Sequence, residues 1–179
     1  MMGGSISHEF MLLTDIGEDT LVICDNCDFK ANLEAAESIV DNSPLSAAEP
    51  LKLVPTPGMA SIEEVAGFLK KPHSATCKAV VYQKNADDSY VVVFVRGDLE
   101  VNETKLRNFL REEVHAGAVT PESGIVAGFI GPMGLDAKKI TIVFDRSLSG
   151  IGALVCGANK IGHHYTGFNI ERDYGNVEY

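Results

Sequence analysis

Apolar positions along the 179-residue chain fall into short runs separated by polar stretches that carry glycine and proline. The first run, Phe10-Met11-Leu12-Leu13, follows a polar lead-in (Gly3-Gly4-Ser5 to His8) that reads as a connector. Thr20 to Cys24 then predicts a short strand, and Ala31 to Val40 a short helix with Leu33, Ala36 and Val40 at helical spacing. Asp41 to Pro50 is a polar, proline-bounded loop, and Pro55-Thr56-Pro57-Gly58 a turn. Next, Ser61-Ile62-Glu63-Glu64 has the capping-box pattern, and Ile62, Val65 and Leu69 recur at helical spacing, predicting a helix from about Ile62 to Lys70.

Ala79 to Tyr82 and Tyr90 to Val95 are β-branched runs joined by the polar Asn85 to Ser89, which predicts an antiparallel hairpin. Both strands are nearly all apolar, so their sheet should be covered on both faces. Asn102 caps a further helix whose stripe is Leu106, Phe109, Leu110 and Val114. Ile125 to Ile130 and Ile140 to Phe144 read as two more strands around the tight Gly131-Pro132-Met133-Gly134, and a last extended piece runs from His163-His164-Tyr165 to Ile170. Short strands dominate, three helices are interspersed, and strands and helices do not alternate regularly. The pattern is that of an α+β fold with a mixed sheet.

Composition narrows the function classes. A hydrophobic fraction of 45% and a charged fraction of 22% suit one globular domain over 1–179 and exclude disordered and collagen-like classes. No apolar run reaches the ~18–20 residues needed to cross a bilayer, and the start resembles no signal peptide, so no membrane partner and a cytoplasmic location are expected. With 15 Lys plus Arg against 25 Asp plus Glu the net charge is −10, which opposes a broad DNA- or RNA-gripping face. Nucleic-acid contact must be local.

Candidate chemistry is sparse. Cys24-Asp25-Asn26-Cys27 could supply two thiolates to zinc, but no second ligand pair stands at the right spacing, so the reading is reduced thiols and no metal. There is no G-x-S-x-G elbow and no phosphate-binding Walker loop. Gly128-Phe129-Ile130-Gly131-Pro132 is either an ordinary tight turn or a place where backbone groups approach a ligand. Lys78 is either a snorkelling surface lysine or a phosphate partner. Asp145 and His164 are either turn-formers or polar pocket walls.

Taken in order, several motifs resemble the insertion (editing) domain of bacterial prolyl-tRNA synthetases, related to the free-standing YbaK-type aminoacyl-tRNA deacylases. They include Cys24-x-x-Cys27-Asp28-Phe29-x-Ala31-Asn32, Thr56-Pro57-Gly58, Thr76-x-Lys78, Arg96-Gly97-Asp98, Gly128-x-x-Gly131-Pro132, Asp145-Arg146-Ser147, Cys156-Gly157-Ala158-Asn159 and His164-Tyr165-x-Gly167-x-Asn169. Gly3 to Phe10 and Glu171-Arg172-Asp173 are similar to the segments that leave and re-enter the synthetase catalytic domain. Residues 1–10 and about 170–179 are therefore expected to be connecting ends, with Met1 an added start.

The resemblance implies a mixed, curled sheet flanked by helices and an ester hydrolase acting on alanine attached to the 3′ end of tRNA(Pro). Lys78 would hold the terminal phosphate or ribose, with Thr56 and Thr76 lining the same end. Gly128, Gly131 and Pro132 would bring main-chain groups to the aminoacyl moiety, and Asp145 and His164 would orient substrate or water. The family pattern favours His164 over its neighbour His163. It implies no protein nucleophile and no cofactor, ATP and Mg²⁺ serving only the synthetic domain. The rival readings are a deacylase of cysteinyl-tRNA(Pro) and a module that binds the acceptor end without hydrolysis.

Overall fold

The computed structural model describes residues 10, 12–14, 16–33, 36, 38–175 and 177. The lead-in from Gly3 to His8 lies outside them. The chain groups into two compact units, residues 1–37 and 38–179. In the first, β1 (Leu21–Ile23) pairs antiparallel with β2 (Lys30–Asn32), Val22 standing opposite Ala31. The expected helix from Ala31 to Val40 does not form: Ala31 and Asn32 belong to β2, and none of the other described residues in that stretch is helical. The Leu33 N–H donates to the Thr20 carbonyl, which extends the hairpin. Of the expected stripe, Leu33 is exposed and Ala36 and Val40 are only half-buried, so the burial that so short a helix needs is incomplete.

In the second unit a three-stranded antiparallel sheet has the order β3 (Lys52–Pro55), β9 (His163–Phe168), β8 (Leu154–Gly157). A four-stranded sheet has the order β6 (Val114–Ala116), β4 (Cys77–Lys84), β5 (Tyr90–Arg96), β7 (Ile140–Phe144). It is mixed, because β5 runs antiparallel to β4 but parallel to β7. A parallel bridge between Thr76 and Val155 joins the two sheets. The α+β class and the β4–β5 hairpin are as the sequence predicts.

Residues 91–95 of β5 are all buried, and alternate side chains serve two cores. Val92 and Phe94 join Phe144, Leu148, Leu154 and Phe168 on one face, while Val91 and Val93 join Tyr82, Leu106 and Val114 on the other. Both faces of the central strand are covered, hence its unbroken apolar run. Phe94 stands opposite Phe144 across the parallel pair, and their rings stack with centroids 5.3 Å apart.

Two α-helices occur among the described residues, α1 (Ile62–Leu69) and α2 (Glu103–Leu110). The Ser61–Glu64 capping box is formed reciprocally, and Lys70 ends α1 in the left-handed conformation. Asn102 caps α2, whose Leu106 is buried, but Phe109 is 58% exposed and Val114 lies in β6, past the helix end at Arg111. Ile125 to Ile130 is not a strand. Gly124 and Gly128 take positive φ, and a turn from the Phe129 N–H to the Val126 carbonyl bends the segment. Its apolar run instead sinks Ile125 and Phe129 into the interior as a packed loop.

Candidate active site

Where the two sheets meet, the chain leaves a cavity of about 250 Å³. Its walls come from four places distant in sequence: the N-terminal end of α1 (Ser61, Ile62, Val65), the start of β4 (Thr76 to Ala79), the loop residues Gly128 and Ile130, and the strands β8 (Val155 to Gly157) and β9 (His164). The Thr76–Val155 bridge sets Cys77 beside Cys156, and these two thiols contribute to the wall. Burial pushes both up from their ordinary value, so they stay protonated and act as apolar surface rather than as nucleophiles.

His164 stands in β9 between Val54 of β3 and Gly157 of β8, and it is almost fully buried. Its Nδ1 is 2.7 Å from Oγ1 of Thr56, and its ring packs at a tilt against Phe129 with centroids 5.5 Å apart. Thr56 follows β3 directly, and its own N–H is held by the Gly162 carbonyl, so the hydroxyl is delivered to the imidazole by backbone pairing. Loss of water on burial holds the imidazole below its ordinary value and hence neutral at pH 7. Thr56 has no exposed surface, which rules out its hydroxyl as an attacking group and leaves it the task of fixing the ring. His163, one position earlier and therefore on the opposite strand face, bonds the Ile161 carbonyl at 2.9 Å.

Lys78 lines the cavity and brings a cation to it. Its Nζ is paired at 2.6 Å with Glu100, a side chain that is 87% exposed. Thr76 is buried at the same end, its hydroxyl donating to the His73 carbonyl. The Ser61 hydroxyl is likewise committed, donating to Glu64.

Gly128 turns at φ +78°, and a Cβ there would press on Ala60. Gly131 approaches Gly157 so closely that a Cβ would overlap the Gly157 carbonyl oxygen. Pro132 is buried next to Gly131, behind the part of the loop that reaches the cavity.

Six of the eight expected residues are thus brought to the cavity or into direct support of it: Lys78, His164, Gly128 and Thr76 in its wall, Thr56 behind His164, and Gly131 against Gly157. Pro132 stands one step further back. Asp145 is not brought there. It is exposed at the end of β7, its Oδ1 capping a short 3₁₀ turn through the Ser147 N–H at 2.9 Å, and it borders a separate groove formed by α2, β5 and β7. The cause is the parallel β5–β7 pairing, which puts the end of β7 beside Phe94 and commits the Asp145 N–H to the Phe94 carbonyl.

Nothing in the sequence marks Cys77, Cys156, Ile62 or Val65 as wall residues of the site, Ile62 and Val65 reading there as a helix stripe. Cys156 stands in the Cys156-Gly157-Ala158-Asn159 motif, but only the inter-sheet bridge reveals its place in the wall. Among the described residues no group of three or more His, Cys, Asp or Glu could hold a metal ion. No helix among them is long and apolar enough to cross a membrane.

Residues 56–172 match the model of the aminoacyl-tRNA editing domain. The chain belongs to that family. Every expected site residue of the editing domain lies within the matched stretch. Over nearly its whole length this editing domain is also similar to part of proline–tRNA ligases. It is 40% identical to the enzyme of Halothermothrix orenii over 184 residues, covering 99% of this chain and 32% of that protein. It is 42% identical to the enzyme of Bacillus velezensis over 177 residues, covering 96% and 31%. The chain therefore spans about a third of the length of the curated relatives it matches.

Two solved structures share the fold. One is a hypothetical protein (TM-score 0.58, 19% identity, 65% of this chain and 79% of that one). The other is a candidate trans-editing enzyme for prolyl tRNA synthetase (TM-score 0.54, 17% identity, 65% and 74%).

Proposed function

We propose that this editing domain hydrolyses the ester linking a wrongly attached amino acid to the 3′-terminal adenosine of tRNA, and that alanine on tRNA(Pro) is its substrate. The observation that carries the reading is the small cavity closed by a buried, neutral imidazole and opened beside one lysine. The family match and the similarity to proline–tRNA ligases support it. At about 250 Å³ the cavity lies below the ~300–1,000 Å³ usual for a complete small-molecule site. That volume suits an amino-acid side chain and its ester rather than a whole nucleotide.

A synthetic site shaped for proline cannot sterically refuse the smaller alanine, because a missing methylene weakens binding by only ~1–3 kcal/mol. A second site that sorts by upper size supplies what the first lacks. In this reading the Lys78 cation takes the terminal phosphate or ribose, exchanging Glu100 for the nucleic acid. Loop 128–131 offers main-chain groups to the aminoacyl carbonyl and amine. Neutral His164, fixed by Thr56, bounds the pocket and orients the substrate or water.

No thiol or hydroxyl at the cavity is both accessible and activated, so water attacks directly. It adds to the carbonyl carbon and the bond to the ribose O3′ breaks. O3′ keeps the electron pair and takes a proton, and alanine leaves as a carboxylate. The neighbouring ribose hydroxyl is the proposed helper in activating that water. No cofactor enters the cycle. The remainder of a prolyl-tRNA synthetase is the proposed partner, and the cytoplasm, where tRNA is charged, the proposed location.

Turnover of alanyl-, cysteinyl- and prolyl-tRNA by this chain tests the reading. Release of alanine, with prolyl-tRNA spared, is expected. Preferred release of cysteine would shift the substrate, and binding without release of any amino acid would reduce the domain to an acceptor-end module.

A further inference from the structure

We infer that Asn159, in the turn between β8 and β9, is a positioning residue: its amide clamps loop 128–133 against β8 and so fixes the backbone that faces the cavity. The amide makes three of its four possible hydrogen bonds, all to this loop. Its Oδ1 accepts from the Gly131 N–H at 3.0 Å, and its Nδ2 donates to the carbonyls of Gly131 at 2.8 Å and Met133 at 2.7 Å. The Asn159 N–H donates in addition to the Phe129 carbonyl at 2.8 Å. Four hydrogen bonds thus run from one residue to a loop about 28 positions away in sequence.

Asn159 has φ +50°, a left-handed conformation that asparagine tolerates better than most residues and that this turn imposes. The clamp acts where the two backbones already touch. A Cβ on Gly157 would overlap the carbonyl oxygens of both Phe129 and Ile130, and one on Gly131 would overlap the Gly157 carbonyl. Between the clamped carbonyl of Phe129 and the clamped amide of Gly131 sits Ile130, which lines the cavity, as does Gly128 on the other side of Phe129. The N–H groups of Gly128 and Ile130 have no hydrogen-bond partner among the described residues. They are the loop donors left for a ligand, and the Phe129 ring in the same segment packs on His164. Asn159 touches neither the cavity nor His164, so it acts through the loop.

The inference rests on the deacylase reading, and the experiment separates the two. Asn159→Gly is the informative variant, because glycine accepts the same backbone conformation and keeps the N–H bond to Phe129 while deleting the three side-chain bonds. Amide hydrogen exchange on the full chain is measured first and needs no activity. Exchange at the bonded loop amides, Gly131 first and Phe129 with it, should quicken at least tenfold while residues 91–95 of β5 stay protected. Unchanged exchange in the loop would overturn the clamp, whatever the enzyme does.

Turnover of alanyl-tRNA well below the melting temperature comes second. A loop displaced by about 1 Å lowers the chemical step by as much as ~10²-fold, so kcat should fall with KM little changed and prolyl-tRNA should be spared less well. Leu106→Ala, in the core on the far side of β5, serves as a control of similar stability loss that should leave kcat unaltered. Equal losses of kcat in both variants would reduce Asn159 to a stability residue. A wild-type chain that releases no amino acid would refute the deacylase reading, while the exchange result would still decide the clamp.

Discussion

At the scale of single residues, the site pairs a cation that is already occupied with an imidazole that is already neutral. The Glu100 partner of Lys78 is almost fully exposed, and exposed ion pairs contribute only ~0–1 kcal/mol, so a phosphate can displace it at little cost. Lys78→Ala should therefore cost the charge-assisted contact to substrate, worth ~1.5–3 kcal/mol, or about 10- to 150-fold in kcat/KM, with the melting curve nearly unmoved. Glu100→Gln should go the other way and raise kcat/KM by no more than about fivefold. Initial rates for both variants beside wild type check the pair. An Ala variant with wild-type turnover would remove Lys78 from the site.

His164 makes a separate prediction about pH. Its folded-state value lies below the ordinary 6.5 because burial disfavours the charged ring. Above 6.5 both the folded and unfolded chains carry it neutral, and the stability it permits is fully present. As the pH drops below 6.5 the unfolded chain takes up the proton first, so stability falls with falling pH until the folded imidazole also titrates. Denaturant midpoints between pH 7.5 and 5 should thus decline on the acid side, and His164→Gln should flatten that decline. A decline identical in both proteins would place the responsible group elsewhere.

At the scale of elements, the close contact between loop 128–133 and β8 is the least forgiving joint. Gly131→Ala puts a methyl onto the Gly157 carbonyl oxygen, and backbone cannot swing aside as a side chain can. Overpacking of this kind costs ~1–3 kcal/mol, and any relief must come from moving the loop that lines the cavity. Lower stability and lost deacylation should appear together in this variant, as judged by urea midpoint and turnover. Wild-type values for both would mean that the two backbones are not in contact in solution.

The same elements show which parts of the molecule could be read from sequence. Helix α1 was legible because its capping box is local, and the β4–β5 hairpin because β-branched runs around a polar turn are local too. His164 was legible against His163 through a motif, and strand alternation then sends the two rings to opposite faces. Strand β8 escaped because its Leu-Val-Cys-Gly run sits in a stretch of small residues. Ile125 to Ile130 misled because a short unbroken apolar run looks the same whether it forms a buried strand or anchors a packed loop. Asp145 was misplaced, and Cys77 and Cys156 overlooked, for one reason: the cavity is assembled by the Thr76–Val155 bridge and the β5–β7 pairing, and sequence periodicity carries no record of which distant strands meet.

For the whole molecule, a net charge of −10 opposes general attraction to a polyanion, and the proposed grip on the tRNA end then rests on one or two cation–phosphate contacts around Lys78. Each phosphate neutralised on a single strand adds a slope of about −0.7 to log affinity against log salt, so a small footprint implies a shallow salt dependence. Affinity of this chain alone should be poor. Joined to a larger synthetase that already holds the tRNA, the same cavity would meet the 3′ end at an effective concentration in the ~millimolar range, without any new contact. This chain should therefore hydrolyse alanyl-tRNA in trans only at high protein concentration, and a minimal acceptor-stem substrate should serve nearly as well as full-length tRNA. Saturation curves for both substrates at two salt concentrations give the answer. A steep slope, or a strong preference for the full-length molecule, would require an extended basic face, which an excess of ten acidic residues makes difficult to build.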